Sequence, residues 1–368
     1  MSQQKINAGI LGATGMVGQR FITLLADHPY FGISVLAASP RSAGKEFSKT
    51  VEGRWKMPVP IPEHIGAMTV YDASDVEKVS DMCDFVFSAF EMPKKEDVKN
   101  LEEAYAKAET PVVSNTSACR NCPDVPMLIA EINSAHLGVI ETQKKRLGTK
   151  TGFIAVKPNC SIQSYVPMLT PLLGYGLKAV AVSTYQAISG AGKSFEDWPE
   201  MIDNVIPYIG GEEEKSEKEP MKIWGSVKNG AIENAARPAI TSQCVRVSAA
   251  DGHLATVFIK FENPENKPSK EQILSLWKDF KGEPQELKLP SAPKQFIHYF
   301  DEDDRPQTKS DRDLENGMAI SAGRLREDPA GIFDYKFVGL SHNTLRGAAG
   351  GGVLSAELLY KNGFIIKK

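Results

Sequence analysis

The chain has 368 residues, longer than one hydrophobic core ordinarily serves, so two domains are expected. With 42% hydrophobic and 24% charged residues and a formal net charge of −3, the composition is that of a globular protein with no basic arm for nucleic acid. No apolar run approaches the ~18 residues of a membrane span, the polar Met1–Asn7 stretch has no signal-peptide pattern, and five cysteines fit free thiols in a reducing compartment better than a disulfide framework.

Ile6 to Leu11 is an apolar run that ends in a glycine-rich turn, and an amphipathic stretch follows from Met16 to about Asp27. Ser34 to Ala38 is a second run, closed by Ser39-Pro40. Phe85 to Ser88, Val112 to Ser114 and Phe153 to Val156 are three more, each ending at small or polar residues or at Pro158. Apolar runs alternating with helical patterns predict a parallel α/β sheet, with ligands bound beyond the carboxyl ends of its strands. From about residue 158 the texture changes. Ser161 to Leu173 reads as a helix, Ala179 to Ser183 as a strand, and Gln243 to Val247 and Ala255 to Glu262 as strands joined through Asp251-Gly252. Ser269 to Lys281 reads as a helix with a good N-cap, and Met318 to Leu325 and Phe333 to Leu340 as strands. This half is expected to be α+β with a mixed sheet. Ala348 to Tyr360 is a helix whose glycines 350 to 352 cost helix propensity, which makes sense if something packs very close.

The turn Gly12-Ala13-Thr14-Gly15-Met16-Val17-Gly18 lies between the first strand and the first helix. Its glycines permit a tight turn and let backbone N–H groups approach a pyrophosphate at the helix start. The spacing is G-x-x-G-x-x-G rather than the commoner G-x-G-x-x-G. About 20 residues on, where a carboxylate would hold the ribose of NAD, the chain reads Ser39-Pro40-Arg41-Ser42-Ala43-Gly44-Lys45. Arg41 and Lys45 can neutralise a 2′-phosphate, and Ser39 and Ser42 can donate to it, so NADP is the expected cofactor.

Asn159-Cys160-Ser161 follows a strand and opens a predicted helix, where unpaired N–H groups favour a thiolate. Cys83 and Cys244 sit in apolar strand surroundings, and Cys119-Arg120-Asn121-Cys122 lacks the second C-x-x-C or paired histidines of a metal site, so no metal is expected. His253, just before a strand, is the best-placed acid/base, with His342 in the Ser341-His342-Asn343 turn as its rival. Ser189-Gly190-Ala191-Gly192-Lys193 resembles a second glycine loop. Glu212 and Lys215 open a charge run to Glu219 that ordinarily means a solvated helix face; three apart, they also share a face and suit a zwitterionic substrate.

As an ordered set covering essentially the whole chain, these residues resemble the aspartate-β-semialdehyde dehydrogenases of the archaeal and fungal branch. The set adds Ser114-Asn115-Thr116-Ser117 with Arg120, Tyr185-Gln186, Arg246 with His253, and Asn343 with Arg346-Gly347-Ala348-Ala349. The resemblance implies a Rossmann-like NADP-binding domain over 1–157, completed by the C-terminal helix 344–368, and a catalytic and dimerisation domain over 158–343. It implies reduction of aspartyl 4-phosphate through a thioester on Cys160, in the biosynthesis of lysine, threonine, methionine and isoleucine. His253 would be the acid/base and Gln186 would orient the acyl group. Arg246 would hold the substrate carboxylate, Glu212 its ammonium, and Arg120, Asn159 and Lys215 its phosphate. Gly12 to Val17, Ser39 to Ser42, Ser88, Asn115, Ser189 to Gly192 and Asn343 would surround NADP. The expected assembly is a homodimer or homotetramer. Val247-Ser248 follows Arg246 where proline often stands in this family, which leaves the strand edge there less defined. Related acyl reductases acting on malonyl-CoA or N-acetylglutamyl phosphate share the cysteine and the dinucleotide loop, but a malonyl-CoA enzyme has no substrate ammonium for Glu212.

Overall fold

The computed structural model describes residues 4–368; Met1 to Gln3, part of the polar lead, lie outside them. Six short strands form the first sheet: β1 (Ile6–Leu11), β2 (Phe31–Ala38), β3 (Val70–Asp72), β4 (Phe85–Ser88), β5 (Val112–Ser114) and β6 (Ile154–Val156). Their order is β3-β2-β1-β4-β5-β6, and every pairing is parallel. This is the doubly wound order with its switch point between β1 and β4. Both faces are covered, so the strands are apolar throughout rather than alternating: all of β4 and β5 is buried. The carboxyl ends at Leu11, Ser88, Ser114 and Val156 therefore open on one edge.

The second sheet contains β7 (Leu177–Gln186), β8 (Val205–Ile206), β11 (Ala239–Val247), β12 (His253–Phe261), β13 (Ile297–Phe300), β14 (Ile320–Glu327) and β15 (Tyr335–Ser341), while β9 (Ser226–Lys228) and β10 (Ala231–Glu233) pair as a separate hairpin. The order is β13-β14-β15-β12-β7-β11-β8, with parallel and antiparallel pairings mixed. Strict alternation selects β12: His253, Ala255, Val257, Ile259 and Phe261 are buried, with half-buried residues between them.

The expected parallel sheet, mixed sheet and capped helix are all present, the last as Lys270–Asp279 with a capping box on Ser269. Three local expectations change. The strands around Asp251-Gly252 do not pair with each other, because β7 lies between β11 and β12. The register aligns Arg246 with Gln186 and Leu254 with Tyr185, so the loop carries the chain across the end of β7 and gathers Gln186, Arg246 and His253 at one sheet edge. Ser161 to Leu173 is not one helix. A 3-10 turn at Ser161–Ser164, a short helix at Val166–Leu169 and another 3-10 segment from Thr170 replace it. Pro167 and Pro171 remove two of the N–H groups a continuous helix would need. The C-terminal helix runs Gly350–Lys361, entered through a π turn at Leu345–Ala349.

That last helix is buried along nearly its whole length. A Cβ on Gly352 would stand 3.0 Å from the Phe21 ring and 2.9 Å from Asn115 Oδ1, so the glycine run lets the C-terminal segment lie against the first sheet's carboxyl edge. On the same helix as Phe21, a Cβ on Gly18 would stand 2.2 Å from Gly12 O and 2.7 Å from Ala13 Cα. These are backbone atoms that cannot swing away. Gly18→Ala is therefore expected to cost about 1–3 kcal/mol of stability, measured as the urea midpoint. A midpoint at or above that of the unaltered protein would show that the turn is not packed this tightly.

Candidate active site

A cavity of about 980 Å³ runs along the carboxyl edge of the first sheet and down to the end of β7. Its upper wall carries Gly12, Thr14, Gly15, Met16, Val17 and Ser39, and its far wall Asn115, Ser189, Gly190, Gly192 and Asn343. Gly12 holds a φ of 80°, a conformation open to glycine and strained for other residues. Asn115 has neither its amide nitrogen nor its oxygen paired, although both are buried. A glycine cradle at a helix start with unpaired buried polar atoms beside it fits a dinucleotide. Asn343 braces the cradle: its Oδ1 accepts from Gly252 N at 2.8 Å and its Nδ2 donates to Ser189 Oγ at 2.8 Å.

Three expected cofactor residues stand outside these walls. Ser88 is fully buried at the end of β4 with its hydroxyl unpaired. Ser42 is buried within the loop after β2, and Arg41 is exposed at its surface, its carbonyl accepting from Lys45 Nζ at 2.9 Å. Arg20, which the sequence reading passed over, does line the cavity, and its Nε is unpaired. Its position on the helix that follows the glycine turn was the available signal.

Cys160 is at the cavity floor, its Sγ 3.4 Å from Nε2 of His253. Nδ1 of His253 accepts from the backbone N–H of Ala187 at 3.0 Å. A nitrogen that accepts cannot also carry the proton, so in the neutral ring the proton is on Nε2, facing the sulphur. Burial, followed by the charge of Arg246, lowers the imidazolium to about 3 and keeps the ring neutral. The short turns after Cys160 supply little of the helix field expected from sequence. Instead the recess pushes the thiol up to about 11, with Glu212 adding to the rise and Lys157, Arg120 and Arg246 opposing it. The pair at rest is a neutral thiol beside a neutral imidazole. His342 is elsewhere: its Nδ1 caps the turn by accepting from Thr344 N at 3.3 Å, and Asp313 lies 3.6 Å from its Nε2.

Around this pair the carboxylates are already engaged. Glu212 accepts from both Lys215 Nζ (2.7 Å) and Asn159 Nδ2 (3.0 Å to each oxygen), and from Gln186 Nε2 at 3.3 Å. Its carboxyl is held below the usual range despite burial, chiefly by Lys215. Glu219 accepts from Arg120 Nη1 at 2.9 Å and from Asn159 N at 2.5 Å. Arg246 donates to Ala187 O at 2.7 Å and has no carboxylate partner among the described residues. Gly190 covers both Arg246 and His253; a Cβ there would be 2.8 Å from Arg246 Nη1 and 3.0 Å from His253 Nε2.

The charge run from Glu212 to Glu219 is thus not a solvated face. Glu212, Ser216, Glu219, Lys222 and Ile223 are the buried stripe of the Glu212–Ile223 helix, at helical spacing. That spacing was the signal for Glu219 and for Lys222, whose Nζ donates to the carbonyls of Arg120 (2.7 Å) and Cys122 (2.6 Å) and so supports the Arg120 loop. Among the described residues no group of three or more Cys, His, Asp or Glu side chains converges as a metal site would.

Removing the Glu212 charge should make Cys160 more acidic, because it deletes a neighbouring anion and frees the Lys215 ammonium. In Glu212→Gln, alkylation of Cys160 by iodoacetamide is expected to begin at lower pH than in the unaltered protein. Peptide-resolved mass spectrometry across a pH series reads this, and an unchanged or higher onset would contradict the electrostatic picture.

Comparison with known proteins places these features in a family. The semialdehyde dehydrogenase NAD-binding domain model matches residues 7–140, and the semialdehyde dehydrogenase dimerisation domain model matches 169–346. The chain is 41% identical to an aspartate-semialdehyde dehydrogenase of Aspergillus fumigatus, covering 99% of both chains. It is 43% identical to that of Schizosaccharomyces pombe over 97% of this chain and 98% of the relative. A crystal structure of the Candida albicans aspartate-semialdehyde dehydrogenase with NADP superposes with a TM-score of 0.87 at 38% identity, covering 98% of this chain and 100% of that one.

Proposed function

The chain belongs to the aspartate-semialdehyde dehydrogenase family, and from that premise we infer that it catalyses NADPH-dependent conversion of L-aspartyl 4-phosphate to L-aspartate 4-semialdehyde and phosphate. The observation that carries the reading is the 3.4 Å approach of Cys160 Sγ to His253 Nε2 at the floor of the cavity that the dinucleotide cradle also lines.

In this reading the Cys160 thiolate attacks the acyl carbon, the C–O bond to phosphate breaks, and a thioester remains. NADPH, when bound, supplies the hydride that takes the thioester to the aldehyde level. As the C–S bond then breaks, the Nε2–H of His253 faces the departing sulphur and stabilises it. Gln186, fixed between Thr184 and Glu212, orients the acyl group. Arg246, free of any carboxylate, offers its fork to the substrate carboxylate, and Glu212 offers the ammonium a partner. Arg120, Asn159 and Lys215 line the wall where phosphate would lie. Ser39 stands at the cofactor wall where NAD enzymes carry an acid, with the exposed Arg41 beyond it for the 2′-phosphate. The related reductases of malonyl-CoA and N-acetylglutamyl phosphate are not favoured by any relative compared above.

We divide the chain after residue 157 into a cofactor domain, completed by 344–368, and a catalytic domain over 158–343. The homo-oligomer is assigned to the second domain, where Tyr185, Ile202, Val205 and Tyr208 are exposed around the β8 edge. A homodimer, or a homotetramer built from it, would cover them. No helix among the described residues is long and apolar enough to cross a membrane. The free cysteines support a cytoplasmic location.

Cys160→Ala is expected to abolish phosphate- and NADP-dependent oxidation of aspartate semialdehyde, followed at the nicotinamide absorbance, while NADP binding persists. Turnover near that of the unaltered enzyme would sink the thioester assignment. Arg246→Lys keeps the charge but loses the planar fork, so kcat/KM for the semialdehyde should fall by about 1.5–3 kcal/mol, the scale of a charged hydrogen bond. Unchanged kcat/KM would remove Arg246 from the substrate site.

A further inference from the structure

Lys157 follows β6 directly, on the stretch that leads to Cys160, and lines the same cavity floor. It is only 3% exposed, and its ammonium nitrogen is buried with no hydrogen-bond partner among the described residues. The contrast with Lys222 is informative: that lysine is equally buried, but two carbonyls satisfy it. Lys157 has no carboxylate to turn to. Glu219 holds Arg120 and Asn159, Glu212 holds Lys215, Asn159 and Gln186, and Glu131 holds Arg346.

The slot is nevertheless shaped for a lysine. A Cβ on Gly351 would stand 2.4 Å from Lys157 Cε, and a Cβ on Gly347 would stand 2.8 Å from Cys160 Cβ. Those glycines are four residues apart on one continuous segment, so the lysine chain and the cysteine lie beneath successive turns of it. A buried cation with no partner among the described residues calls for an anion, and the ionisable group under the neighbouring turn of the same segment is Cys160, whose charge and that of Lys157 act on each other. His253 cannot supply the countercharge, because a second ring proton on Nδ1 would face the N–H of Ala187.

We propose that Lys157 is a positioning residue for the reaction, the countercharge that holds Cys160 as a thiolate. This deepens the reading of Cys160 as nucleophile and rests on it. On ionisation an S–H bond breaks and the proton passes to water, and the thiolate left behind faces the Lys157 ammonium across the recess as its countercharge. Burial, with the charges of Arg346 and Arg120, lowers the Lys157 ammonium to about 7, while the negative charge of a Cys160 thiolate opposes that fall and favours the ammonium form.

The test is the pH profile of iodoacetamide alkylation at Cys160, resolved from the other four cysteines by peptide mass spectrometry. Lys157→Met retains length without charge. Its alkylation midpoint should rise by a unit or more, so that alkylation at pH 8 slows at least tenfold. kcat should fall by a similar factor while KM for inorganic phosphate and for NADP stays within twofold. Lys157→Gln, polar and of similar reach, should behave alike and stands in should the methionine variant fail to fold. An unchanged midpoint would make Lys157 a slot filler and overturn the proposal. So would a tenfold rise in KM for phosphate with an unchanged midpoint, which would make it an anion holder. Alkylation is read on the residue itself, so this outcome is independent of whether Cys160→Ala retains turnover, which tests the nucleophile reading separately.

Discussion

The ion pair between Arg346 and Glu131 fixes the relation of the C-terminal segment to everything beneath it. Arg346 Nη1 donates to Glu131 Oε1 at 2.7 Å, Nη2 donates to the other oxygen, and Nε reaches Gln163 Oε1 at 3.2 Å, with the guanidinium 4.6 Å over the Phe296 ring. Both partners are buried. A buried charge left alone costs about 3–5 kcal/mol, so the segment after residue 344 has little freedom to lift. Three parts of the chain meet at this pair: the loop before the first sheet's last strand, the turn after Cys160, and the glycine-rich return. It is this clamp that presses Gly347 onto Cys160 and Gly351 onto Lys157.

The same clamp explains why the site is built of short-range charge matching rather than of a helix field. With the chain broken into 3-10 turns after Cys160, there is no long helix to stabilise a thiolate. The work falls to discrete charges, and these are arranged with few to spare. Glu219 ties the Arg120 loop to Asn159, and Glu212 ties Asn159 to Lys215 and Gln186, so one asparagine, the residue before the nucleophile, joins both carboxylates. Arg246, at the end of β11, and Lys157, just after β6, have no carboxylate partner among the described residues, and the charge of each opposes the rise of the Cys160 thiol. Rigid neighbours hold each in place, as a site that must discriminate small charged ligands requires.

Much of this was readable from residue order. The glycine turn, the missing acid after β2, and the Asn-Cys-Ser corner all follow strands whose apolar runs are unmistakable, and in a parallel sheet those strand ends share one edge. Gln186, Arg246 and His253 were also named from sequence, and the turn between Arg246 and His253 allows those two to share one mouth, but the place of Gln186 between their strands depends on β7 threading between β11 and β12. Burial of charge was the other blind spot. The Glu212–Glu219 run is surface-like by composition, and only its helical stripe betrays that Glu219 and Lys222 point inward. Lys157 gave less warning still: a lysine before Pro-Asn-Cys is ordinary in sequence, and its isolation appears only when every nearby carboxylate has been assigned a partner. Arg41 is the reverse case, a basic residue plain in the sequence of the loop after β2 that lies exposed outside the cavity wall.

A nucleophile in a deep recess meets two opposed demands. It must ionise before attack, and it must be received as a thiolate again when the C–S bond breaks. A single imidazole serving both would have to pass through an imidazolium, which the Ala187 N–H and the neighbouring Arg246 disfavour. Dividing the tasks resolves the conflict. The Lys157 ammonium stands as countercharge to the thiolate, so the recess holds opposite charges rather than a lone anion. The Nε2–H of His253 stays in place throughout, a neutral donor facing the sulphur at 3.4 Å when it departs. On this division the elevated resting thiol reflects the depth of the recess, and the buried cations that oppose the rise are what bring ionisation of Cys160 within reach.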